Sequence, residues 1–261
     1  VTVTDDGGTA DPLDVDAYSQ TFIVVVSAVN DAPLFDDVTA VSVDEDAGLS
    51  TVSVTGVDAG GGTDESSSQS VLFAATSSDA TIVPDPSVST SGTTATVVYT
   101  PVASASGTVT ITLTATDTGS GTSPNVNTLT KTFDITVNTI NDAPSFDTVA
   151  DQTVDEDTAS VDVSITTVSV GGGGDESSTQ SVTFSATSSD ATIVPDPTVT
   201  GSGDTRTLTY APVADATGVV TVTLVGDDGG PTQGASDVAT ATQTFTITVD
   251  AINDAPTIDT I

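Results

Sequence analysis

The chain has 261 residues, of which 37 are acidic and only two, Lys131 and Arg206, are basic, so its net charge is −35. This balance excludes nucleic acid as a partner, because almost nothing in the chain can neutralise phosphates. Cysteine and histidine are both absent, which excludes disulfides and a Ser-His-Asp catalytic site. No apolar run approaches the roughly 18 residues that a membrane helix needs.

In chain order, the sequence from 34 to 144 predicts seven short β-strands. Val-Thr-Ile-Thr-Leu-Thr-Ala at 109–115 shows the pattern best, with apolar residues on one face and Thr on the other. Clusters of Gly, Pro, Asp and Ser separate such runs, and no stretch has helical periodicity. The predicted strands are 36–43, 50–57, 70–77, 81–90 (short and broken by Pro84 and Pro86), 94–100, 108–116 and 128–137. We therefore predict an all-β, immunoglobulin-like sandwich, although without the Cys pair and Trp of antibody domains.

The chain repeats itself with a period of 111 or 112 residues. The segment 75–86 recurs without change at 186–197, and Asn-Asp-Ala-Pro occurs three times, at 30–33, 141–144 and 253–256. We read these tetrapeptides as linkers between tandem domains. The predicted organisation is the end of a preceding partial repeat (1–33), a first unit (34–144), a second unit (145–256) and the start of another repeat (257–261). Because the chain has no Met and starts and stops inside repeats, we interpret it as part of a longer polypeptide.

The odd number of strands predicts how the units are arranged. A chain that runs up and down seven times enters a unit at one end and leaves at the other, so successive units should stack end to end as a rod. The same parity places Glu45 at the exit end, beside the linker Asn141-Asp142. It places the loop carrying Asp64 and Glu65 at the entry end. Each joint between units should therefore collect acids from the unit above, the linker and the unit below.

This gathering of oxygen ligands predicts calcium at the joints. Calcium takes six to eight oxygens from carboxylates, amides and carbonyls, and so many acids without Lys or Arg would otherwise repel one another. The candidate ligands are Asn30, Asp31, Glu45, Asp64, Glu65, Asp117, Asn141, Asp142, Glu156, Asp175, Glu176, Asp228, Asn253 and Asp254, with Asp79 as a further possibility. The alternative interpretation is that these acids are solvated loop residues that support solubility. We expect Asp36, Asp134, Asp162 and Asp237 to be surface residues of that kind.

Several motifs together resemble the tandem cadherin-like or Ig-like repeats of large bacterial surface proteins, including RTX-type adhesins. These motifs are the Asn-Asp-Ala-Pro linker, Val43-Asp44-Glu45-Asp46, Tyr99-Thr100-Pro101-Val102 and the closing strand Thr244–Val249. The resemblance covers essentially the whole chain and implies calcium-stiffened extender domains. Animal cadherins are similar more loosely: their linker has an Asp where this chain has Ala28, Thr139 and Ala251, and a second Asn that is missing here. That departure favours one or two ions per joint over three.

The leading hypothesis is therefore a non-catalytic, calcium-rigidified structural extender of a bacterial extracellular surface protein, the stalk of an adhesin. Its partners would be the neighbouring repeats of the same chain. One alternative is a segment of a self-assembling extracellular fibre or sheath, in which other copies of the chain are partners; another is an accessory module that binds a glycan or a protein. The aromatic residues are expected in the cores: Phe73, Tyr99, Phe133, Phe184, Tyr210 and Phe245.

Overall fold

A computed structural model describes residues 1–4, 17–122, 124–231 and 237–256. The first unit contains β3 (Val41–Asp44), β4 (Ser50–Val54), β5 (Val71–Ser77), β6 (Ser87–Ser91), β7 (Thr94–Tyr99), β8 (Gly107–Asp117) and β9 (Thr128–Asn138). The second contains β10 (Gln152–Asp155), β11 (Val161–Ile165), β12 (Thr183–Ser188), β13 (Thr198–Thr200), β14 (Arg206–Tyr210), β15 (Gly218–Asp227) and β16 (Thr240–Asp250). Two short strands, β1 (Thr2–Thr4) and β2 (Ala17–Ser19), pair near the beginning of the chain.

Each unit is a sandwich of a four-stranded and a three-stranded sheet. In the first unit the strand orders are β3-β9-β8-β5 and β4-β7-β6, and in the second they are β10-β16-β15-β12 and β11-β14-β13. All neighbours are antiparallel except β3 with β9 and β10 with β16, where the first strand of the unit runs parallel to the last. The predicted all-β, immunoglobulin-like class is confirmed by these sheets.

The alternation seen in the sequence produces a separate hydrophobic core in each unit. Along β8, Val109, Ile111, Leu113 and Ala115 are completely buried, while the Thr residues between them face outwards. The equivalent strand β15 buries Val220, Val222 and Leu224 in the same way. Burial of these side chains is the main favourable term in the stability of such a sandwich.

The aromatic side chains lie in or against the cores, as expected. Tyr99, Phe133, Tyr210 and Phe245 are at most 4% exposed, while Phe73 and Phe184 are half-buried and pack against the core. The rings of Phe35 and Phe73 meet edge to face with centroids 5.2 Å apart, and Phe146 and Phe184 do the same at 5.0 Å.

Three of the predicted strands were too long. Residues 36–40 and 55–57 are outside any strand, and 81–86 form a turn in which Val83 N–H donates to the Asp79 carbonyl (3.1 Å). Pro84 and Pro86 explain the turn at 81–86, because proline has no N–H for a sheet ladder. Two short helical turns, Gly62–Asp64 (3₁₀) and α1 (Gly174–Ser177), lie in loops where no helix was predicted.

The outer face of the four-stranded sheet of the first unit is an array of threonines. β8 contributes Thr108, Thr110, Thr112, Thr114 and Thr116, and β9 contributes Thr128, Thr130, Thr132 and Thr136, with Asp134 as the one acid. Residues facing each other across the strands bond directly, as Thr114 and Thr130 do through their hydroxyls at 3.2 Å. The acids of this strongly negative chain are thus concentrated in loops and at unit ends.

Candidate functional site

The four glutamates of the chain share one structural role. Glu45, Glu65, Glu156 and Glu176 are between 1% and 6% exposed, although glutamate is rarely buried. One carboxylate oxygen of each accepts a backbone N–H from a linker. The donors are Ile140 to Glu45 (2.9 Å), Asp31 to Glu65 (3.0 Å), Ile252 to Glu156 (2.9 Å) and Asp142 to Glu176 (2.7 Å).

These bonds fix the central linker to both units at once. Glu45 belongs to the first unit and holds Ile140, whereas Glu176 belongs to the second and holds Asp142, only two residues further along. The exit end of the first unit therefore meets the entry end of the second, as the strand parity predicted. We call this region the central joint.

The linker asparagine lies in a polar socket at the entry end of the unit below. The Asn141 side-chain amide donates to an Asp228 oxygen (3.3 Å) and to the Val238 carbonyl (2.9 Å), and its oxygen accepts from the Gln180 amide (2.8 Å). Asn30 makes the same bonds with Asp117, Val126 and Gln69, at 3.1, 2.8 and 2.8 Å. The asparagine side chain is thus engaged with protein, and its role as a metal ligand stays a prediction.

Buried carboxylate oxygens lie next to this socket. Asp117 and Asp228 are each 3% exposed, and one oxygen of each accepts the linker asparagine and a glycine N–H at 2.7 Å. Their second oxygens are buried and have no hydrogen-bond partner among the described residues, and the same holds for Oε2 of Glu65. A buried carboxylate oxygen without a hydrogen-bond partner is unfavourable, and each of these atoms could serve as a ligand of a cation.

A run of four glycines, 171–174, brings the second unit against the linker; we call it the glycine run. Gly171 adopts a φ of +107°, and a methyl group there would lie 2.6 Å from the Ala143 carbonyl oxygen and 2.8 Å from that of Asp142. A methyl on Gly172 would lie 2.5 Å from Glu176 Oε2 and 3.0 Å from Asp142 Oδ2. Carboxylate and carbonyl oxygens therefore converge on a space that only glycine leaves open.

Neither basic side chain reaches a joint. The Lys131 ammonium donates to the Phe35 carbonyl and forms an ion pair with Asp37, both at 2.7 Å. The Arg206 guanidinium donates to the Val182 carbonyl (3.0 Å) and to carbonyls of its own turn. Both basic side chains are therefore engaged by groups away from the central joint.

A second set of carboxylates meets at the linker that follows the second unit. Oxygens of Asp157, Asp215 and Asp254 lie within 4.8 Å of one another. Desolvation, followed by the negative charges of Asp157, Asp215 and Glu156, raises the pKa of Asp254. This repulsion is of the kind that a divalent cation relieves.

The remaining predicted ligands are more exposed than the glutamates. Asp31, Asp64, Asn253 and Asp254 are exposed, and Asp142 is half-buried. Asp175 lies in α1, but its side chain is outside the described part of the structure. Asp79 caps its own turn by accepting the hydroxyl and backbone hydrogens of Thr81, at 2.6 and 2.9 Å, which also lower its pKa.

One residue expected at the plain surface lies at the joint. Asp237 is half-buried and accepts the Asn141 backbone N–H at 3.0 Å, in the position that Asn125 occupies beside Asn30. The sequence prediction for Asp237 was therefore wrong. The linker N–H is accepted by an asparagine amide in the first unit and by the Asp237 carboxylate in the second. Asp36, Asp134 and Asp162 are exposed, as expected.

Sequence reasoning also left Gln69, Gln180, Asp157 and Asp215 out of the candidate ligands. Gln69 and Gln180 are 111 residues apart in matching Ser-Gln-Ser and Thr-Gln-Ser contexts, so the repeat itself was the signal that could have identified them. Asp157 follows Glu156 directly in the repeated Asp-Glu-Asp motif.

The chemistry of the joints suits a hard cation. The donors are carboxylates, amides and backbone carbonyls, which are the ligands of calcium, and the softer thiolate and imidazole ligands are absent from the sequence. Among the described residues, no helix is both long and apolar enough to cross a membrane.

Comparisons with known proteins stay at the level of distant structural likeness. No protein-family model matches the chain, and no curated protein matches it. It is similar to the titin domains Z1Z2 in complex with telethonin, with 16% identity over 85% of this chain and 98% of that one and a TM-score of 0.33. It is similar to a protocadherin gammaB7 EC3-6 cis-dimer, with 18% identity over 85% of this chain and 48% of that one and a TM-score of 0.41. Domains 4 and 5 of the S-layer protein SbsC align with 17% identity over 68% and 70%, at 0.29. At these values neither ligand nor function transfers to this chain.

Proposed function

We propose that this chain is a non-catalytic structural extender of a bacterial extracellular surface protein, and that calcium at its joints holds successive units in a fixed orientation. The single observation that carries the proposal is the shared position of the four glutamates, each of them buried and each bonded to a linker N–H. Residues that serve only solubility would stay in solvent.

The energetics support a bound cation. In the central joint Glu45, Asp142, Glu176 and Asp228 come from both units and from the linker between them, in a chain of net charge −35. Two like charges at close range repel by about 4 kcal/mol at the effective dielectric of a protein surface. A divalent ion converts that repulsion into attraction between the units, which restricts bending at the joint.

The proposal is tested by small-angle scattering and thermal unfolding of the 261-residue chain in excess calcium and in excess chelator. We expect a larger maximum dimension and a higher melting temperature with calcium. A double variant, E45Q/E176Q, should lose most of both effects. The exposed double variant D134N/D162N removes the same charge away from the joints and should keep both. Equal dimensions and equal melting temperatures with and without calcium would reject the proposal.

A second candidate function is lateral assembly into a fibre, and the threonine array favours it. The ten outward positions at which β8 and β9 face each other carry one acid, Asp134, so this is a surface where two strongly negative chains can approach with less repulsion. Sedimentation of the chain over a range of concentrations tests this candidate. A monomer at every concentration would count against it.

The glycan-binding alternative has less support. In the described residues of both complete units, the aromatic side chains are buried or half-buried in the cores. Sugars are usually held by exposed aromatic rings, and neither sandwich presents such a platform within those residues.

A further inference from the structure

Two turns occupy equivalent positions at the exit ends of the two units but carry different side chains. Ser104 in the first unit corresponds to Asp215 in the second, 111 residues later. Both residues adopt the left-handed conformation, with φ of 54° and 60°. Both donate their backbone N–H to an aspartate that directly follows a joint glutamate, Ser104 to Asp46 at 2.9 Å and Asp215 to Asp157 at 3.3 Å. The backbone is therefore the same, and only the side chain differs.

This turn belongs to the joint. A methyl group on Gly173 of the second unit would collide with the Ser104 carbonyl oxygen, so the turn of the first unit contacts the glycine run of the second. In the second unit, the Asp215 carboxylate lies within 4.8 Å of those of Asp157 and Asp254. The counterparts in the central joint are Asp46 and Asp142, with a serine hydroxyl in the third position.

We infer that residue 104 or 215 sets how tightly its joint holds a cation, because Asp215 supplies a carboxylate where Ser104 supplies a hydroxyl. This inference rests on the proposed function. The number of charged ligands is a main determinant of calcium affinity, so successive joints of one chain take up calcium at different concentrations. A separate observation supports a cation in the central joint: one buried oxygen of Asp228 has no hydrogen-bond partner among the described residues.

The consequence is a chain that stiffens in steps. At calcium concentrations between the dissociation constants of the two joints, a joint with aspartate in this turn holds calcium and a joint with serine does not. The serine joint then remains a hinge until calcium rises further.

Two isosteric variants of the full chain isolate the charge. S104D adds a carboxylate to the central joint, and S104N adds a side chain of the same shape without charge. Aspartate and asparagine both tolerate the left-handed conformation of position 104 better than most residue types. In calcium titrations followed by calorimetry, we expect S104D to bind at the central joint about tenfold more tightly than S104N. The reverse change, D215N, should weaken calcium binding at the linker that follows the second unit by a similar factor.

The outcomes separate the two proposals. If the unchanged chain binds calcium and extends but S104D and S104N titrate alike, the role of this turn is overturned while the proposed function stands. If D215N binds as tightly as the unchanged chain, the role of the turn is overturned as well. If no variant binds calcium and chelator leaves the dimensions unchanged, both proposals are overturned.

Discussion

Replacing Asp228 by asparagine tests whether the buried acids of the joint need a bound cation for stability. One oxygen of this 3% exposed side chain accepts the Asn141 amide at 3.3 Å and the Gly230 N–H at 2.7 Å, and the other is buried without a hydrogen-bond partner among the described residues. Asparagine retains an oxygen for the two bonds and removes the charge. The variant D228N should therefore change stability in opposite directions with and without calcium.

The magnitude follows from the burial. Leaving a buried polar atom without a partner costs about 1–3 kcal/mol, and more when it is charged. The amide group of asparagine would itself be imperfectly matched at this position, so the variant recovers only the part of the cost that is due to the charge. Without calcium we therefore expect D228N to be more stable than the unchanged chain by about 1–2 kcal/mol. For a domain of this size that raises the melting temperature by roughly 4–8 °C.

With calcium the sign reverses. A ligand at a hundred times its dissociation constant stabilises the folded state by about 2.7 kcal/mol, and losing a charged ligand removes much of that gain. Thermal unfolding followed by circular dichroism, in excess chelator and in excess calcium, measures both values. D117N is the matched change in the first unit, and D204N removes an exposed charge as a control. A destabilisation of D228N that is equal in both conditions would refute the reasoning, because Asp228 would then be a purely structural hydrogen-bond acceptor.

Three further predictions concern the linker, the core and the acids. Replacing Gly171 by Ala should destabilise the second unit by about 1–3 kcal/mol in chemical denaturation, since its methyl would meet the linker carbonyls, whereas Gly174→Ala has open space and should be neutral or slightly stabilising. L113A should cost about 2–5 kcal/mol and lower only the unfolding transition of the first unit. Hydrogen bonds from Thr192 lower the pKa of Asp190, so their stabilisation is present above pH 3.8 and is lost as the pH falls through the lowered pKa. T192V should raise that pKa towards 3.8 in an NMR titration.

The strands and cores were readable from the sequence because they depend on local alternation. Strand β8 was predicted at 108–116 and spans Gly107–Asp117. The eight buried polar or charged residues of the described chain were all among the predicted ligands, since the parity of the strands decides which loops meet. Their role as metal ligands stays a prediction.

What the sequence could not show depends on side-chain direction and on loops that differ between the repeats. The loops that carry Asn125 and Asp237 have little sequence in common, so nothing marked these two residues as equivalent. The contact of Ser104 with Gly173 requires two units at a defined distance, and no pattern within a single repeat specifies that distance. The segment Phe22–Val26 matches part of β9 by repeat position, yet it is exposed and lies outside any strand, because no described strand lies beside it.

The parallel pairing of the first and last strands of a unit determines how the unit resists being pulled. The chain enters before β3 and leaves after β9, and these neighbours are joined from Val41 with Ile135 to Asp44 with Asn138. Tension applied through the two ends drags the strands past each other, so their hydrogen bonds are loaded in shear and must yield together, not one at a time. A string of such units would bear force at the entry and exit of every sandwich before any core is exposed.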